Sequence, residues 1–180
     1  SFVWRRKSWQ DGRVNKKVER NYLEIKSLKD LQDSYYPSDE YKIQIVEPAN
    51  FQLNKFFYKN IGKSHNWVDR LVWSQKQWVE YVSNKKVRTY TLKVKGDLAG
   101  YFELIFHQDS DEVEIAYLGL LKEYQNKKLG SYILSAAIKN SFINNPKRVW
   151  VHTCSLDHKN ALNNYIARGM RVFKTETLLM

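Results

Sequence analysis

Between Val87 and Leu121 three consecutive apolar-rich runs, separated by short polar or glycine-containing stretches, read as strands. The runs, Val87 to Lys95, Leu98 to His107 and Glu112 to Leu121, are joined by Gly96-Asp97 and by the polar stretch Gln108 to Asp111. Connections this short force antiparallel neighbours. A three-stranded meander is therefore expected at the centre of the chain, and the rest must extend it or pack on it.

On either side the period changes. Asn21 to Leu28 and Tyr41 to Val46 read as short strands. Leu53, Phe56, Phe57 and Ile61 fall at helical spacing between Pro48 and Ile61, with Gly62 placed to end that helix. Ser74 and Gln77 form a capping box for a second helix, Gln75 to Val82, and Trp73 and Trp78 occupy the positions of a hydrophobic staple. Between these helices, NWVDRLVW (66–73) reads either as a packed connector with a local Asp69–Arg70 ion pair or as a wall of a substrate pocket. After the meander come a helix from Leu129 to Phe142, a strand from Arg148 to Thr153, a short helix with Ala161, Leu162, Tyr165 and Ile166 on one face, closed by Gly169, and a last strand from Met170 to Thr175. The fold class implied is α/β with a mixed sheet.

The 180 residues, 43% hydrophobic and 14% aromatic, suffice for one core. The expected organisation is a basic arm, 1–20, and a single domain, 21–180. No apolar run approaches the roughly 18 residues that span a bilayer, and no signal-peptide pattern opens the sequence, so a cytoplasmic protein without a membrane partner is expected. The lone Cys154 excludes an internal disulfide and a cysteine-based metal site. The net charge of +11 is partly a lysine-rich composition, but the arm alone carries +5 and holds Trp4 and Trp9. It leaves open a nucleic-acid-binding module, a less favoured alternative because no binding motif accompanies it.

The stretch YQNKKLGSYIL (124–134) turns from strand to helix through two lysines and one glycine. A helix N-terminus presents unpaired N–H groups and a partial positive charge, so such a turn is a ready anion cradle. Gly130 permits close approach, Ser131 offers a hydroxyl, and Lys127 and Lys128 add charge. The turn is neither a Walker loop nor a dinucleotide fingerprint.

Gln125-x-x-Lys128-x-Gly130, the strand before it and the later NALNNYIARGM together resemble the Gcn5-related N-acetyltransferase (GNAT) superfamily. That family's acyl-CoA motif is Gln/Arg-x-x-Gly-x-Gly/Ala, so Lys128 stands where the first glycine is expected. Ala161, Tyr165 and Gly169 match its second motif. The resemblance implies that the strands Glu112 to Leu121 and Arg148 to Thr153 splay to admit the pantetheine arm of acetyl-CoA, a co-substrate. It places backbone groups of Leu118 and Leu120 against that arm, and the pyrophosphate on Gln125, Asn126, Lys127, Lys128, Leu129, Gly130 and Ser131. Lys127, Lys128 or Lys159 would meet the ribose phosphate.

The same resemblance gives the catalytic candidates. Tyr165 takes the position of the proton donor to the CoA sulfur, and Glu114 the spacing of a general base. Glu103, in GYFEL, is the alternative base or amine-recognition group. The N–H of Leu118, near an irregularity that Gly119 could accommodate, would hold the oxyanion. His158 falls where relatives carry a cofactor-fixing asparagine. The implied activity is acetyl transfer to a small-molecule amine by a monomer or homodimer without a metal. A non-catalytic CoA sensor is the alternative that Lys128 leaves open. His152 and Cys154 share a strand face, but a core role suits them better than a thiol–imidazole pair.

Overall fold

A computed structural model of the chain describes residues 17–34, 38–125, 128–158 and 160–179. In chain order the elements are β1 (Lys17–Ile25), β2 (Tyr41–Ile45), α1 (Phe51–His65), α2 (Gln75–Val82), β3 (Val87–Val94), β4 (Asp97–His107), β5 (Glu112–Leu120), α3 (Leu129–Ser141), β6 (Arg148–Cys154), α4 (Ala161–Ala167) and β7 (Arg171–Leu179). The seven strands form one sheet in the order β2-β3-β4-β5-β6-β1-β7. Every pair is antiparallel except β5 and β6, which run parallel. Among the described residues no helix is long and apolar enough to cross a membrane.

The meander forms as its short connections require, with one shift. The β3–β4 turn is made by Lys95 and Gly96, at φ 52° and 84°, and Asp97 already belongs to β4. A two-residue hairpin needs positive φ at both central positions, and glycine supplies one of them without strain. Between β4 and β5 the register slips at Glu103/Leu104, where Ala116 is the extra residue of a bulge. Bulges re-aim the side chains beside them. The irregularity therefore sits at Ala116; Gly119 answers a different need, since a Cβ there would lie 2.5 Å from Cγ2 of Ile61 on α1.

Two further boundaries move. Helix α1 runs through Gly62 to His65 and ends on Asn66 in the left-handed region, φ 57°. Gly62 lies inside the helix because Trp67 folds back on it, where a Cβ would be 2.9 Å from that of Trp67. Strand β1 begins at Lys17, so the last four residues of the expected arm belong to the sheet. It stops at Ile25, after which Ser27 caps a short 3-10 turn, Leu28–Asp30. At the other end β7 reaches Leu179, since β1 pairs with it along that length. The capping box of α2 forms as read: Ser74 N–H donates to Gln77 Oε1 at 2.8 Å and Gln77 N–H to Ser74 Oγ at 3.2 Å. Trp73 and Trp78 pack edge to face at 5.0 Å.

Helices cover both faces of the sheet, which is why the central strands are buried on both sides. On one face α3 packs Ile133, Leu134, Ala137 and Ile138 onto Phe102, Leu104 and Ile115. On the other, α1 and α2 bring Phe57, Tyr58, Ile61, Trp78 and Tyr81 against Tyr101 and Ile105. The parallel pair β5–β6, flanked by both layers, lies at the middle of this arrangement.

Candidate functional site

Strands β5 and β6 pair through only three positions, Glu112–Arg148 to Glu114–Trp150. Beyond them the strands diverge around a cavity of about 300 Å³, lined on one side by Ala116 to Leu120 and on the other by Val151 to Cys154. An extended chain can add to a strand edge of this kind through main-chain hydrogen bonds. Leu118 and Leu120 both line the opening, although the Gln125 side chain already donates to Leu120 O at 3.3 Å.

The first turn of α3 closes one end. Its N-cap residue, Lys128, lies in the left-handed region at φ 61°, ψ 8°, and no side chain caps the helix. Lys128 thus takes up the conformation that the motif's glycine adopts freely, at a cost of roughly 1–2 kcal/mol for an L-residue. Gly130 needs no such freedom: a Cβ there would meet Asn164 Nδ2 at an ordinary 3.8 Å. Asn164 of α4 donates to Gly130 O at 3.0 Å and ties the two helices together. Ser131 donates to Lys128 O at 3.0 Å and shares a 2.9 Å hydrogen bond with Ser34. The side chain of Leu129 is buried in the core, so only its backbone can take part in a cradle. Asn126, Lys127, Lys159 and residues 1–16, including Trp4 and Trp9, lie outside the described residues.

The C-terminus of α1 roofs the opening. The Asn66 side chain donates to Leu156 O, in the β6–α4 connection, and His65 packs against His158 with ring centroids 5.6 Å apart. Trp67 meets Tyr117 edge to face at 4.8 Å on the β5 side. The three residues therefore tie both sides of the opening together. Burial pushes His65 down to about 4, with His158 adding to the effect and Asp157 opposing it, so this imidazole is uncharged at neutral pH. His158 lines the cavity beside Asp157, which accepts from Thr153 Oγ1 at 2.7 Å and Cys154 N–H at 2.9 Å.

Behind the acceptor-side wall lies a cluster that sequence reasoning assigned differently. Arg70 pairs with Glu103 at 3.0 Å, both fully buried. Glu103 also accepts from Asn54 Nδ2 and Tyr81 OH, each at 2.9 Å. The guanidinium lies 4.1 Å from the Tyr81 ring, 4.2 Å from Tyr117 and 4.7 Å from Trp73. Burial works against its charge, but Glu103 and the surrounding tyrosines outweigh that and raise its pKa. Glu103 is enclosed by donors and does not line the cavity, which corrects the expectation of a base or amine-binding group there. The connector is packed and also borders the cavity: Arg70 anchors it in the core, while Trp67 and Asp69 face the cavity.

Glu114 is also displaced from its expected role. It lies in the last paired position of β5 and β6, below the divergence, and meets His107 Nε2 at 3.0 Å. It does not line the cavity. Tyr165 does; it is 8% exposed, and burial, with a smaller contribution from Asp157, pushes its phenol up from the ordinary value. His152 and Cys154 share the cavity-facing side of β6, as does Arg20 of the neighbouring β1. His65 and Arg20 carried no sequence signal, because a helix end and an outer strand acquire their place at the site only through the tertiary fold.

A sequence model described as "Acetyltransferase (GNAT) family" matches residues 31–170. No curated protein matches the chain. Among solved structures, a GCN5-related N-acetyltransferase from Sphaerobacter thermophilus superposes with a TM-score of 0.70 at 11% identity, covering 92% of this chain and 52% of that one. A functionally unknown conserved protein from Staphylococcus epidermidis gives 0.65 at 18% identity, covering 91% and 61%. Spermidine N-acetyltransferase from Vibrio cholerae, in complex with CoA and spermine, gives 0.57 at 16% identity, covering 79% and 96%. The chain thus spans between half and two thirds of the first two structures' length.

Proposed function

Since the chain belongs to the acetyltransferase (GNAT) family, we propose that it transfers an acetyl group from acetyl-CoA to a primary amine of a small molecule, directly within a ternary complex. The observation that carries this reading is the divergence of β5 from β6 into a cavity that runs from the uncapped N-terminus of α3 to the buried Tyr165. The residues fit the co-substrate. A pantetheine arm would pair with the backbone at Leu118 and Leu120, and the pyrophosphate would rest on the amides of α3's first turn with Lys128 beside it. The left-handed Lys128 supports the catalytic reading over that of a degenerate sensor, because it keeps the backbone path that the motif's glycine takes. Neighbours of this fold described as aminoglycoside and spermidine acetyltransferases are consistent with a small amine acceptor.

In the reaction the neutral amine attacks the thioester carbonyl, the C–N bond forms and the C–S bond breaks. We assign the oxyanion to the Leu118 N–H. Tyr165, kept protonated by burial, donates a hydrogen bond and then a proton to the departing sulfur. The amine gives up one proton and the thiolate gains one, so the exchange balances. With Glu114 and Glu103 outside the cavity, Asp69 is the acidic side chain we assign to the amine's ammonium and to its released proton.

The test is calorimetric titration with acetyl-CoA, followed by thiol release in the presence of amines. Tyr165→Phe should lower turnover about 10²–10⁴-fold, the usual contribution of a positioned acid, with acetyl-CoA affinity within about threefold of the parent. Equal turnover by this variant would remove the acid role. Failure of the intact protein to bind acetyl-CoA would remove the reading as a whole.

A further inference from the structure

The cavity carries a cation on its β6–β1 side, and acetyl transfer itself does not require one there. This cation is Arg20. Resting on the acetyl-transfer reading, we infer that the acceptor bears a carboxylate beside its amine, and that Arg20 receives that carboxylate.

Arg20 is the half-buried arginine that lines the cavity; Arg88 and Arg168, likewise without a carboxylate partner among the described residues, do not line it. Arg70 is matched by Glu103 at 3.0 Å, and Arg148 by Glu112 at 2.8 Å and Glu24 at 3.0 Å. Among the described residues no carboxylate lies within 4.0 Å of Arg20. Its hydrogen bond is a long one, Nη1 donating to Tyr22 OH at 3.5 Å. Its Nε is buried with no hydrogen-bond partner. Glu176, opposite it on β7, is engaged by Lys174 at 2.8 Å and by Tyr22 OH at 3.2 Å. A buried guanidinium N–H without an acceptor is unfavourable unless a ligand supplies one. A planar carboxylate is the group whose geometry matches the guanidinium fork.

Arg20 pairs with Cys154, the last residue of β6, four residues past the last β5–β6 pair, Glu114–Trp150. The proposed phosphate cradle follows β5, on the other strand of the divergence, so Arg20 is not part of that turn. Arg20 stands on the β6–β1 side of the cavity, and Asp69 on the side formed by β5 and the 66–73 connector. An acceptor with both charges would be met from both sides: its carboxylate by the arginine, its ammonium by the aspartate. The overall charge of +11 favours the approach of such a molecule over that of a polycation. The chemical class is therefore an amino acid or a related carboxylated amine.

Matched pairs that differ only in the carboxylate test the inference: alanine and ethylamine, ornithine and putrescine, lysine and cadaverine, phenylalanine and phenethylamine. Thiol release gives kcat/KM for each, and calorimetry on the protein saturated with CoA gives binding without turnover. For at least one pair the intact protein should prefer the carboxylated member by tenfold or more. Arg20→Gln should bring that preference within twofold, chiefly through KM, and Arg20→Lys should keep part of it. A protein that shows no preference or favours the plain amine overturns the inference, as does an Arg20→Gln variant that weakens both members of a pair equally. Active transfer without carboxylate preference would remove the Arg20 site and leave the transfer reading intact. Arg20-dependent binding of the carboxylated members without thiol release would do the reverse.

Discussion

Glu103→Gln isolates what the buried Arg70–Glu103 pair does. The substitution keeps the side chain's shape and one of the two acceptor oxygens, which take Asn54 Nδ2 and Tyr81 OH separately at 2.9 Å each, with the new NH2 able to donate to the Tyr81 oxygen, and removes the charge opposite a fully buried guanidinium. Arginine cannot shed its proton at any pH the fold survives, so the charge stays, with only ring faces around it. Breaking a buried pair from one side costs about 3–5 kcal/mol. At 2–4 °C per kcal/mol for a chain of this size, the melting temperature should fall by about 6–20 °C. Arg70→Met added to Glu103→Gln should recover more than half of that loss, since it removes the stranded charge and fills the space. Tryptophan fluorescence melts and urea titrations measure both variants. A loss below about 1 kcal/mol for Glu103→Gln would mean that water reaches the pair, and a double variant worse than the single one would refute the stranded-charge argument. The same variant separates structure from catalysis. Assayed well below its melting temperature, it should keep kcat within about tenfold, whereas removing a true general base costs about 10²–10⁴-fold.

Two further predictions concern the cavity's two ends. Lys128→Gly should stabilise the protein by about 1 kcal/mol by relieving a left-handed lysine, while acetyl-CoA affinity falls about tenfold or more with the loss of a charged hydrogen bond; unchanged affinity would place the lysine away from the phosphates. The folded pKa of His65 lies below its unfolded value, near 4 against 6.5, so the unfolded chain binds the proton first and stability is lost as pH falls. Between pH 7 and 5 the loss from this group is roughly 2 kcal/mol, and His65→Gln should flatten the urea-derived stability profile by that amount; a profile identical to the parent's would mean that His65 is solvated in the folded state.

The legible parts of the fold were those set by local chemistry. Short runs joined by tight turns gave the meander, and the Ser74–Gln77 box with its tryptophan staple gave α2. Glycines misled where they serve packing and not turns. Gly62 reads as a helix stop but is an internal position that makes room for Trp67, and Gly119 reads as a kink but makes room for Ile61. At the site, the N-terminus of α3 and Tyr165 were readable because a motif fixes their spacing along one short stretch. Glu114 was misplaced because spacing cannot report the Ala116 bulge, or the point at which β5 and β6 part. The Arg70–Glu103 pair was not readable, because the sequence does not show that β4 turns Glu103 toward the same aromatic enclosure.

The division between what was legible and what was not follows the construction of the cleft. The stretch matched to the family, 31–170, contains β5, the cradle at α3 and Tyr165. Strands β1 and β7 lie outside it, yet β1 is inserted between β6 and β7 and pairs along six positions of β6. Without β1 the outer edge of β6 would be unpaired, and the strand that forms one side of the cavity would lose the neighbour that fixes its position. The N-terminal strand therefore has two tasks: it supports β6 from behind, and through Arg20 it contributes a side chain to the cavity. On the proposed reading, acyl-CoA binding stays with the family motif while acceptor preference is set from outside it. A search confined to the motif would find the first and pass over the second.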